Sequence, residues 1–513
     1  MGLALACSAP PARADGEYRV VQCLGPPHDF AVYSMHSGLY AEDKCGSIAA
    51  LSLRGTPGSV VPNESGIWWL ATAPDGTTFS SWQASFQGGG GSTSGWLLSA
   101  RVCADVYCFF PLQYLFLGLE NWGAPVLQRW QGSGAMMLQF GLSCSFGAAG
   151  ACTVGGAPPG ADMFAPMIGV VDHYPPAPAQ LTGGTLPGSG WQSGRAAHSV
   201  AFNAGDRGGG VERVVASVSS GSWVAAAPCA QTASGYARLV PCPLSFSGSI
   251  PIDIAALADG RHDLALTTID AGGQQSASGP YPVLVDNTAP AAPKNLTVLG
   301  GDAWRSRDDF AIRWDNPSDP YAPVTAAHWQ LCAVGGKCRD GVTAATGVKG
   351  LDGLVTGHSG DYLLRIWLED SAGNQNAANA AGPVHLRLDA EAPSLMFEPQ
   401  NPADPLRVAV SVTDETSGLS SGAVEMRREG TDSWQALPTS TEPGKLVALL
   451  DDENAPDGRY ELRARAIDSA GNEGSTDRNR DGTRALVQLP VRIVTKIRAG
   501  RRTMRVRRVA VRS

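Results

Sequence analysis

One sequence pattern recurs three times along the chain, and it constrains the fold more than any other feature. In each copy apolar and polar residues alternate, and the run ends in an Asp followed by a Gly-containing turn, at Asp270, Asp370 and Asp468. Alternation with period two indicates a strand with one buried face, and Asp and Gly are typical of tight turns, so each copy predicts a β-hairpin. The three copies are DGRHDLALTTIDAGGQQ (259–275), SGDYLLRIWLEDSAGNQ (359–375) and DGRYELRARAIDSAGNE (457–473).

The spacing of the copies predicts tandem domains. The three Asp residues are separated by 100 and 98 residues, and about 100 residues make one β-sandwich domain. Pro-rich joints at 172–178, 286–293 and 389–393 fall between the copies, where Pro interrupts sheet pairing. The predicted segments are a signal-peptide remnant (1–14), an N-terminal domain (15–175), repeat 1 (176–288), repeat 2 (289–391), repeat 3 (392–488) and a basic tail or truncated further domain (489–513).

The repeats resemble immunoglobulin-like domains. The pattern G-x-Y-x-L-x-A around Tyr460 is similar to the penultimate strand of such domains, and Tyr460 and Tyr362 match the position of the tyrosine corner, where repeat 1 has His262. The D-x-A-G-N turns resemble bacterial Ig-like repeats of exported surface proteins. Residues 289–314, with Trp314 as core tryptophan, resemble the start of a fibronectin type III domain.

The N-terminal domain is rich in Trp and Gly, and it resembles the concanavalin- or laminin-G-like jelly rolls that head exported multi-domain proteins. The fold expected for the whole chain is therefore all-β, a jelly-roll sandwich followed by three tandem Ig-like sandwiches. Its tryptophans have two interpretations, core packing or a stacking platform for sugar rings. The candidate ligand-binding residues are Trp68, Trp69, Trp82 and Trp96, of which the neighbours Trp68 and Trp69 would point to opposite faces of a strand.

Cysteine usage and the first residues favour export. A short apolar run leads to an A-x-A site at 12–14, as in a signal peptide. Cys7 lies before this site, and the ten cysteines after it fall in close pairs. An even count in an exported chain predicts disulfides, although the first six of the ten alone allow 15 connectivities. Proximity favours Cys23–Cys45, Cys103–Cys108, Cys144–Cys152, Cys229–Cys242 and Cys332–Cys338. Reduced thiols are the alternative, and zinc is disfavoured because no C-x-x-C occurs.

Charge and hydropathy restrict the classes of partner that the chain is expected to bind. The formal net charge is −8, yet the last 25 residues hold nine Lys or Arg and no acid. An acidic body does not have the basic surface of a nucleic-acid binder. No run reaches the roughly 18 apolar residues of a membrane span, and the most apolar stretch, 107–119, is predicted to be a buried strand. The expected location is secreted or on the cell surface.

The sequence contains no recognisable arrangement of catalytic residues. The chain has no string of carboxylates on one strand face, no G-x-S-x-G, no P-loop and no H-E-x-x-H. The sequence DRNRDG begins like a calcium loop, in which Asp477, Asn479 and Asp481 would present oxygens, but position twelve is Gln488. No other cofactor is indicated. The linker acids Asp286 and Asp389 resemble the linker calcium ligands of cadherins, but the companion ligands of such a site are not evident in the sequence.

These observations lead to three functional hypotheses. The first is a non-enzymatic extracellular or cell-surface protein of the adhesion type, in which an Ig-like stalk presents an N-terminal domain that binds carbohydrate or another surface. The second is a polysaccharide-degrading enzyme whose active site lies in the N-terminal jelly roll. The third is a purely structural spacer. Two carboxylates in a cleft would favour the second, an exposed aromatic patch without clustered acids would favour the first, and the absence of both would favour the third.

Overall fold

A computed structural model describes residues 16–25, 27–89, 95–116, 125–491, 493–499 and 502–508. The signal-peptide remnant expected at 1–14 lies outside them. The chain divides into two compact units, Met1–Asn287 and Thr288–Ser513. The described residues form β-strands with two short 3-10 helices, Ala148–Gly150 and Ala377–Asn379, so the expected all-β class is confirmed. No helix among the described residues is long and apolar enough to span a membrane.

The N-terminal domain of the first unit is a two-sheet sandwich. One sheet contains β10-β7-β13-β1 in this order with β4 and β3 attached, and the other has the order β2-β6-β11-β8-β9. Its strands are β1 Glu17–Val21, β2 Ala31–Ser34, β3 Leu39–Lys44, β4 Ala50–Gly55, β5 Val60–Pro62, β6 Gly66–Thr72, β7 Thr77–Gly89, β8 Trp96–Cys103, β9 Pro111–Phe116, β10 Val126–Ala135, β11 Met137–Cys144, β12 Ala151–Thr153 and β13 Gly160–Asp172.

Repeat 1 completes the first unit. Its two sheets have the orders β14-β16-β21 and β15-β23-β22-β17-β18, as expected for a sandwich whose strands carry alternating apolar residues. Its strands are β14 Gln180–Gly184, β15 Trp191–Gln192, β16 His198–Gly205, β17 Val211–Val218, β18 Gly221–Ala226, β19 Gln231–Thr232, β20 Gly235–Tyr236, β21 Ser245–Ile252, β22 Gly260–Asp270 and β23 Gln275–Val285.

The segment between Cys229 and Cys242 joins these two sandwiches. Its strand pair β19–β20 extends the first sheet of the N-terminal domain, because β20 pairs in parallel with β1 at Val20 and Tyr236. Tyr236, Leu239 and Cys242 lie in the same hydrophobic core as the N-terminal domain. The segment 229–242 of repeat 1 therefore packs into the core of the N-terminal domain, while the strands of repeat 1 enclose a separate core.

The second unit contains repeats 2 and 3, each built from two antiparallel sheets. The orders are β24-β25-β28 and β27-β26-β29-β30 in repeat 2, and β31-β32-β36-β35 and β34-β33-β37-β38 with β39 on β37 in repeat 3. The strands are β24 Lys294–Val298, β25 Phe310–Asp315, β26 Val324–Ala333, β27 Cys338–Ala344, β28 Gly350–Leu354, β29 Gly360–Asp370, β30 Ala381–Leu388, β31 Ser394–Phe397, β32 Arg407–Thr413, β33 Leu419–Arg428, β34 Gln435–Ala436, β35 Thr439–Glu442, β36 Lys445–Leu449, β37 Gly458–Asp468, β38 Glu473–Thr476 and β39 Leu486–Leu489.

The basic tail continues as two paired strands. These are β40 Ile493–Ala499 and β41 Arg502–Arg508, which form a two-stranded antiparallel sheet.

The repeated segment forms an interior strand in all three repeats. Strands β22, β29 and β37 each span 11 residues and end at the motif Asp. In β37 the side chains of Tyr460, Leu462, Ala464 and Ala466 are buried and alternate with more exposed ones. Interleaved burial of this kind is what a period-two pattern predicts.

The corner contact of the repeats is present in all three. The hydroxyl of Tyr460 donates to the carbonyl of Pro456 at 2.8 Å, and that of Tyr362 donates to His358 at 3.1 Å. In repeat 1 the ring Nε2 of His262 lies 2.7 Å from the carbonyl of Ala258, also four residues upstream. His262 therefore replaces the tyrosine without loss of the hydrogen bond.

Candidate functional site

Three of the four tryptophans expected to bind a ligand lie in the core of the N-terminal domain. Trp69, Trp82 and Trp96 are 4%, 4% and 6% exposed, and Trp69 Nε1 donates to the carbonyl of Ser52 at 3.1 Å. Burial leaves little ring surface for stacking on a sugar. The alternation of their strands turns these three side chains inward, although Trp82 also lines the groove described below, so the stacking role expected for them stays a prediction.

Trp68 lies on the other side of the same strand and is half-buried. Its ring lies 5.9 Å from that of Tyr33, and it covers Gly141 so closely that a Cβ there would meet the indole at 2.0 Å. Glycine at position 141 therefore creates the space that the indole occupies. Trp68 and Trp69 point to opposite faces, as neighbours on a strand must.

A polar groove of about 530 Å³ lies on the N-terminal domain, across four adjacent strands of the first sheet. Cross-strand pairing places Gln131 opposite Ser81, Ser81 opposite Gly169, and Gly169 opposite Arg19, in one row. Gly169 forms a depression in this row, because a Cβ there would lie 2.3 Å from the hydroxyl of Ser81. A second row contains Arg129, Gln83 and Met167.

The groove presents side chains suited to hydrogen bonding with a polar ligand. Arg19 donates to the thioether sulfur of Met167 at 2.7 Å, a weak acceptor for a guanidinium with five donors. Arg129 is exposed. Neither arginine has a carboxylate within 4 Å among the described residues. Among the described residues, Glu17 is the one acid that lines the groove, and it accepts a hydrogen bond from the hydroxyl of Ser80.

An exposed aromatic loop lies elsewhere on the same domain, between Cys103 and Pro111. Tyr107, Phe109 and Phe110 are 76%, 76% and 73% exposed. The Asp105 carboxylate holds the loop by accepting three backbone N–H groups, from Tyr107, Phe109 and Phe110. Desolvation opposes ionisation of Asp105, but these donors outweigh it and the pKa of its carboxyl lies below the usual value.

The buried strand predicted at 107–119 is therefore wrong at its start. Residues 107–110 form the exposed loop, and Pro111–Phe116 form a strand that is not buried at its start, where Leu112 is 49% exposed. Hydropathy does not predict this loop, because the loop is stabilised by the Asp105 side chain and by the disulfide Cys103–Cys108 and not by burial of its apolar residues.

Three carboxylates come together in the first unit, where β13, the turn after β16, and the end of β22 meet. Asp172, Asp206 and Asp270 each offer an oxygen within 4.8 Å of the other two. Burial raises the pKa of Asp270 to about 7, with the charges of Asp206 and Asp172 adding to it. Burial also raises the pKa of Asp172, although it accepts from the backbone N–H of Gly209 and Tyr174.

The loop expected to bind calcium in repeat 3 uses its oxygens internally. Asp477 pairs with Arg478 at 3.1 Å, and Asp481 accepts from the backbone N–H of Thr483 at 3.0 Å. The amide of Asn479 donates to Thr483 and to the carbonyl of Arg484, each at 3.1 Å. The loop is thus ordered by its own hydrogen bonds, which use carboxylate oxygens that an ion would need.

Five disulfides join the cysteines of the described residues. They are Cys23–Cys45, Cys103–Cys108, Cys144–Cys152, Cys229–Cys242 and Cys332–Cys338, the pairs that proximity favours.

Comparisons with known proteins give remote similarities only. No family model matches the chain, and no curated protein matches it. Among solved structures, the tetra-tandem repeat of the extending region of a large adhesion protein is 12% identical with a TM-score of 0.24, covering 84% of this chain and 98% of that one. A structure from a 1.5-MDa bacterial ice-binding adhesin is 15% identical with a TM-score of 0.27, covering 58% and 96%.

The first three fibronectin domains of chicken CNTN1 are 14% identical with a TM-score of 0.20, covering 60% of this chain and 99% of that one. At these TM-scores the similarities decide neither the fold nor the function of this chain.

Proposed function

We propose that the protein is a non-enzymatic, extracellular protein of the adhesion type, whose N-terminal domain binds an acidic polysaccharide in the polar groove. The observation that carries the proposal is the pair Arg19 and Arg129 on one face of the sheet, without carboxylate partners among the described residues. The repeats then act as the stalk. A jelly-roll N-terminal domain, as the sequence resemblance implies, is compatible with the observed two-sheet sandwich.

The chemistry of the groove suits a carboxylate-bearing sugar. Guanidinium groups recognise carboxylates through paired N–H donors, and Gln83 and Gln131 offer both donors and acceptors to hydroxyl groups. Four strands spaced by about 4.8 Å give a surface roughly 14 Å wide, so a polymer can lie across the strands. The open shape admits a chain that continues at both ends.

Extracellular location is supported by the five disulfides, which persist in oxidising compartments. It does not depend on the groove.

The arrangement of acids argues against hydrolysis. Glycosidases use two carboxyl groups roughly 5–10 Å apart on either side of the scissile bond, whereas Glu17 is the one acid lining the groove. The cluster Asp172, Asp206 and Asp270 has the acids, but Asp172 and Asp270 are 2% and 0% exposed. A polysaccharide cannot reach them.

The test is a titration of the full chain with polygalacturonate, with neutral dextran alongside, followed by tryptophan fluorescence. The double variant Arg19→Gln/Arg129→Gln removes the two charges of the groove. Because a hydrogen bond to a charged group contributes about 1.5–3 kcal/mol, we expect its apparent Kd for polygalacturonate to rise at least about tenfold. Added salt weakens wild-type binding through screening.

The matched control is Arg261→Gln/Arg459→Gln, which removes two charges from exposed arginines outside the groove. It should bind as the wild type does. Equal binding by the groove variant, equal affinity for dextran, or a flat response to both polymers would each contradict the proposal.

A further inference from the structure

Three acids converge where the N-terminal domain meets repeat 1. Asp172 is the last residue of β13, Asp206 follows β16, and Asp270 is the last residue of β22. One carboxylate oxygen from each lies within 4.8 Å of the other two. Calcium binds oxygens at 2.3–2.6 Å, so two ligands of one ion lie at most about 5.2 Å apart. The cluster has the dimensions of a calcium site.

A buried carboxylate oxygen in this cluster has no hydrogen-bond donor. The side chain of Asp270 is 0% exposed. Its Oδ1 accepts from the backbone N–H of Gln274 at 2.8 Å, whereas Oδ2 has no partner among the described residues. Asp206 is similar, because Oδ2 accepts from Gly208 and Gly210 while the buried Oδ1 has none. Buried oxygens without partners destabilise a fold unless a ligand satisfies them.

The other repeats show which donor is missing. Four residues after the motif Asp, repeats 2 and 3 carry Asn374 and Asn472, whose side-chain amides donate to Oδ2 of Asp370 and Asp468 at 3.0 and 2.8 Å. Repeat 1 has Gln274 at this position. Its longer side chain donates instead to the backbone carbonyl of Asp172 at 2.9 Å. One residue change therefore leaves Asp270 Oδ2 without its amide.

Lys and Arg side chains of the described residues leave the cluster unneutralised, although the charge of His173 partly offsets the effect of burial, which raises the pKa of Asp172. Among the described residues no Lys or Arg forms an ion pair with the three acids. Arg207 follows Asp206 in sequence, but its guanidinium pairs with Asp75 at 2.9 Å and lies over the ring of Tyr174. The packing around Asp172 also requires glycine at position 208, since a Cβ there would lie 2.0 Å from Asp172 Oδ2.

We infer that a calcium ion binds between Asp172, Asp206 and Asp270 and joins the N-terminal domain to repeat 1. The ligand set is all oxygen and carries three negative charges, which suits calcium and not zinc. The ion satisfies the orphaned oxygens of Asp270 and Asp206 and offsets the repulsion between the carboxylates. The site is independent of the polysaccharide proposal.

The equivalent three positions converge where repeat 2 meets repeat 3. Asp389, Asp414 and Asp468 also offer oxygens within 4.8 Å of one another. There the Asn472 amide satisfies Asp468 Oδ2, so the cluster in the first unit is the one with the unpartnered motif carboxylate.

The test measures calcium bound per chain after chelator treatment of the full protein, by equilibrium dialysis against millimolar CaCl2, with MgCl2 in parallel. We expect Asp270→Asn and Asp206→Asn each to bind one calcium fewer than the wild type. The matched control, Asp263→Asn, changes an exposed acid on the same strand and should bind as many as the wild type. Circular dichroism establishes which variants are folded, and if Asp270→Asn is unfolded, Asp206→Asn decides.

Calcium should also raise the midpoint of thermal unfolding of the wild type, because it binds the folded state. The inference is overturned if the wild type takes up no calcium, if both site variants retain the full number, or if magnesium binds equally well. It is also overturned if Asp481→Asn loses an ion while Asp270→Asn does not, since the loop at 477–482 would then be the site.

Discussion

At the scale of single residues, the three repeats make the same hydrogen bond with different side chains. The corner hydrogen bond is made by Tyr460, by Tyr362 and by His262, each to a carbonyl four residues upstream. Tyr460 is 5% exposed, whereas Tyr362 is only partly buried. Water can replace a lost partner more readily at an exposed position, so the contact at Tyr460 should contribute more to stability.

Tyr460→Phe should lower the free energy of unfolding by about 1–2 kcal/mol, because it leaves the Pro456 carbonyl without its buried donor. Tyr362→Phe is the matched change at the more exposed position and should cost less. Urea unfolding of both variants followed by circular dichroism measures the difference. Equal losses at the two positions, or no loss at Tyr460, would contradict this reading of the corner.

The sequence predicts side-chain direction well where a strand is regular. Alternation correctly places Tyr460 and Leu462 inward and separates Trp68 from Trp69, yet it cannot say which indole faces the core. The sequence does not predict which residues form the groove, for a different reason. Arg19 and Arg129 are more than a hundred positions apart, and only the order β10-β7-β13-β1 places both on one face of the same sheet, with β7 and β13 between their strands.

At the scale of elements, the strand pair β19–β20 changes how the domains are divided. The hydroxyl of Tyr18 donates to the carbonyl of Leu239 at 2.7 Å, and its ring meets that of Tyr236 edge-on at 6.0 Å. Burial raises the pKa of Tyr18, with the nearby acids adding to it, so the hydroxyl remains the donor. A boundary at residue 175 is the natural interpretation of a Pro-rich joint, but parallel pairing with a later segment leaves no local signal.

Cys229→Ser/Cys242→Ser should lower the thermal midpoint of the first unit by several degrees. The bond closes a loop with a sequence separation of 13, for which chain entropy alone gives about 3 kcal/mol, and the loop carries β19–β20. Cys332→Ser/Cys338→Ser is the control, since its separation is 6 and its cysteines face each other in the β26–β27 ladder. Calorimetry of the full chain compares them, and a smaller shift for the first pair would contradict the account.

At the scale of the molecule, the chain combines two compact units with different chemistry. The first, Met1–Asn287, holds the groove, the exposed aromatic loop and the acidic cluster with its two unpartnered oxygens. The second, Thr288–Ser513, holds repeats 2 and 3. The surface proposed to bind polysaccharide therefore lies within the first unit.

The central claim is that this surface binds a polysaccharide and leaves it intact. The most direct measurement is the chain length of polygalacturonate, by size-exclusion chromatography with light scattering, after prolonged incubation with enough protein to saturate binding. The account predicts bound polymer of unchanged length, because Glu17 is the one acid lining the groove and hydrolysis needs a carboxyl pair. Polymer that shortens with time, in proportion to the protein added, would contradict it.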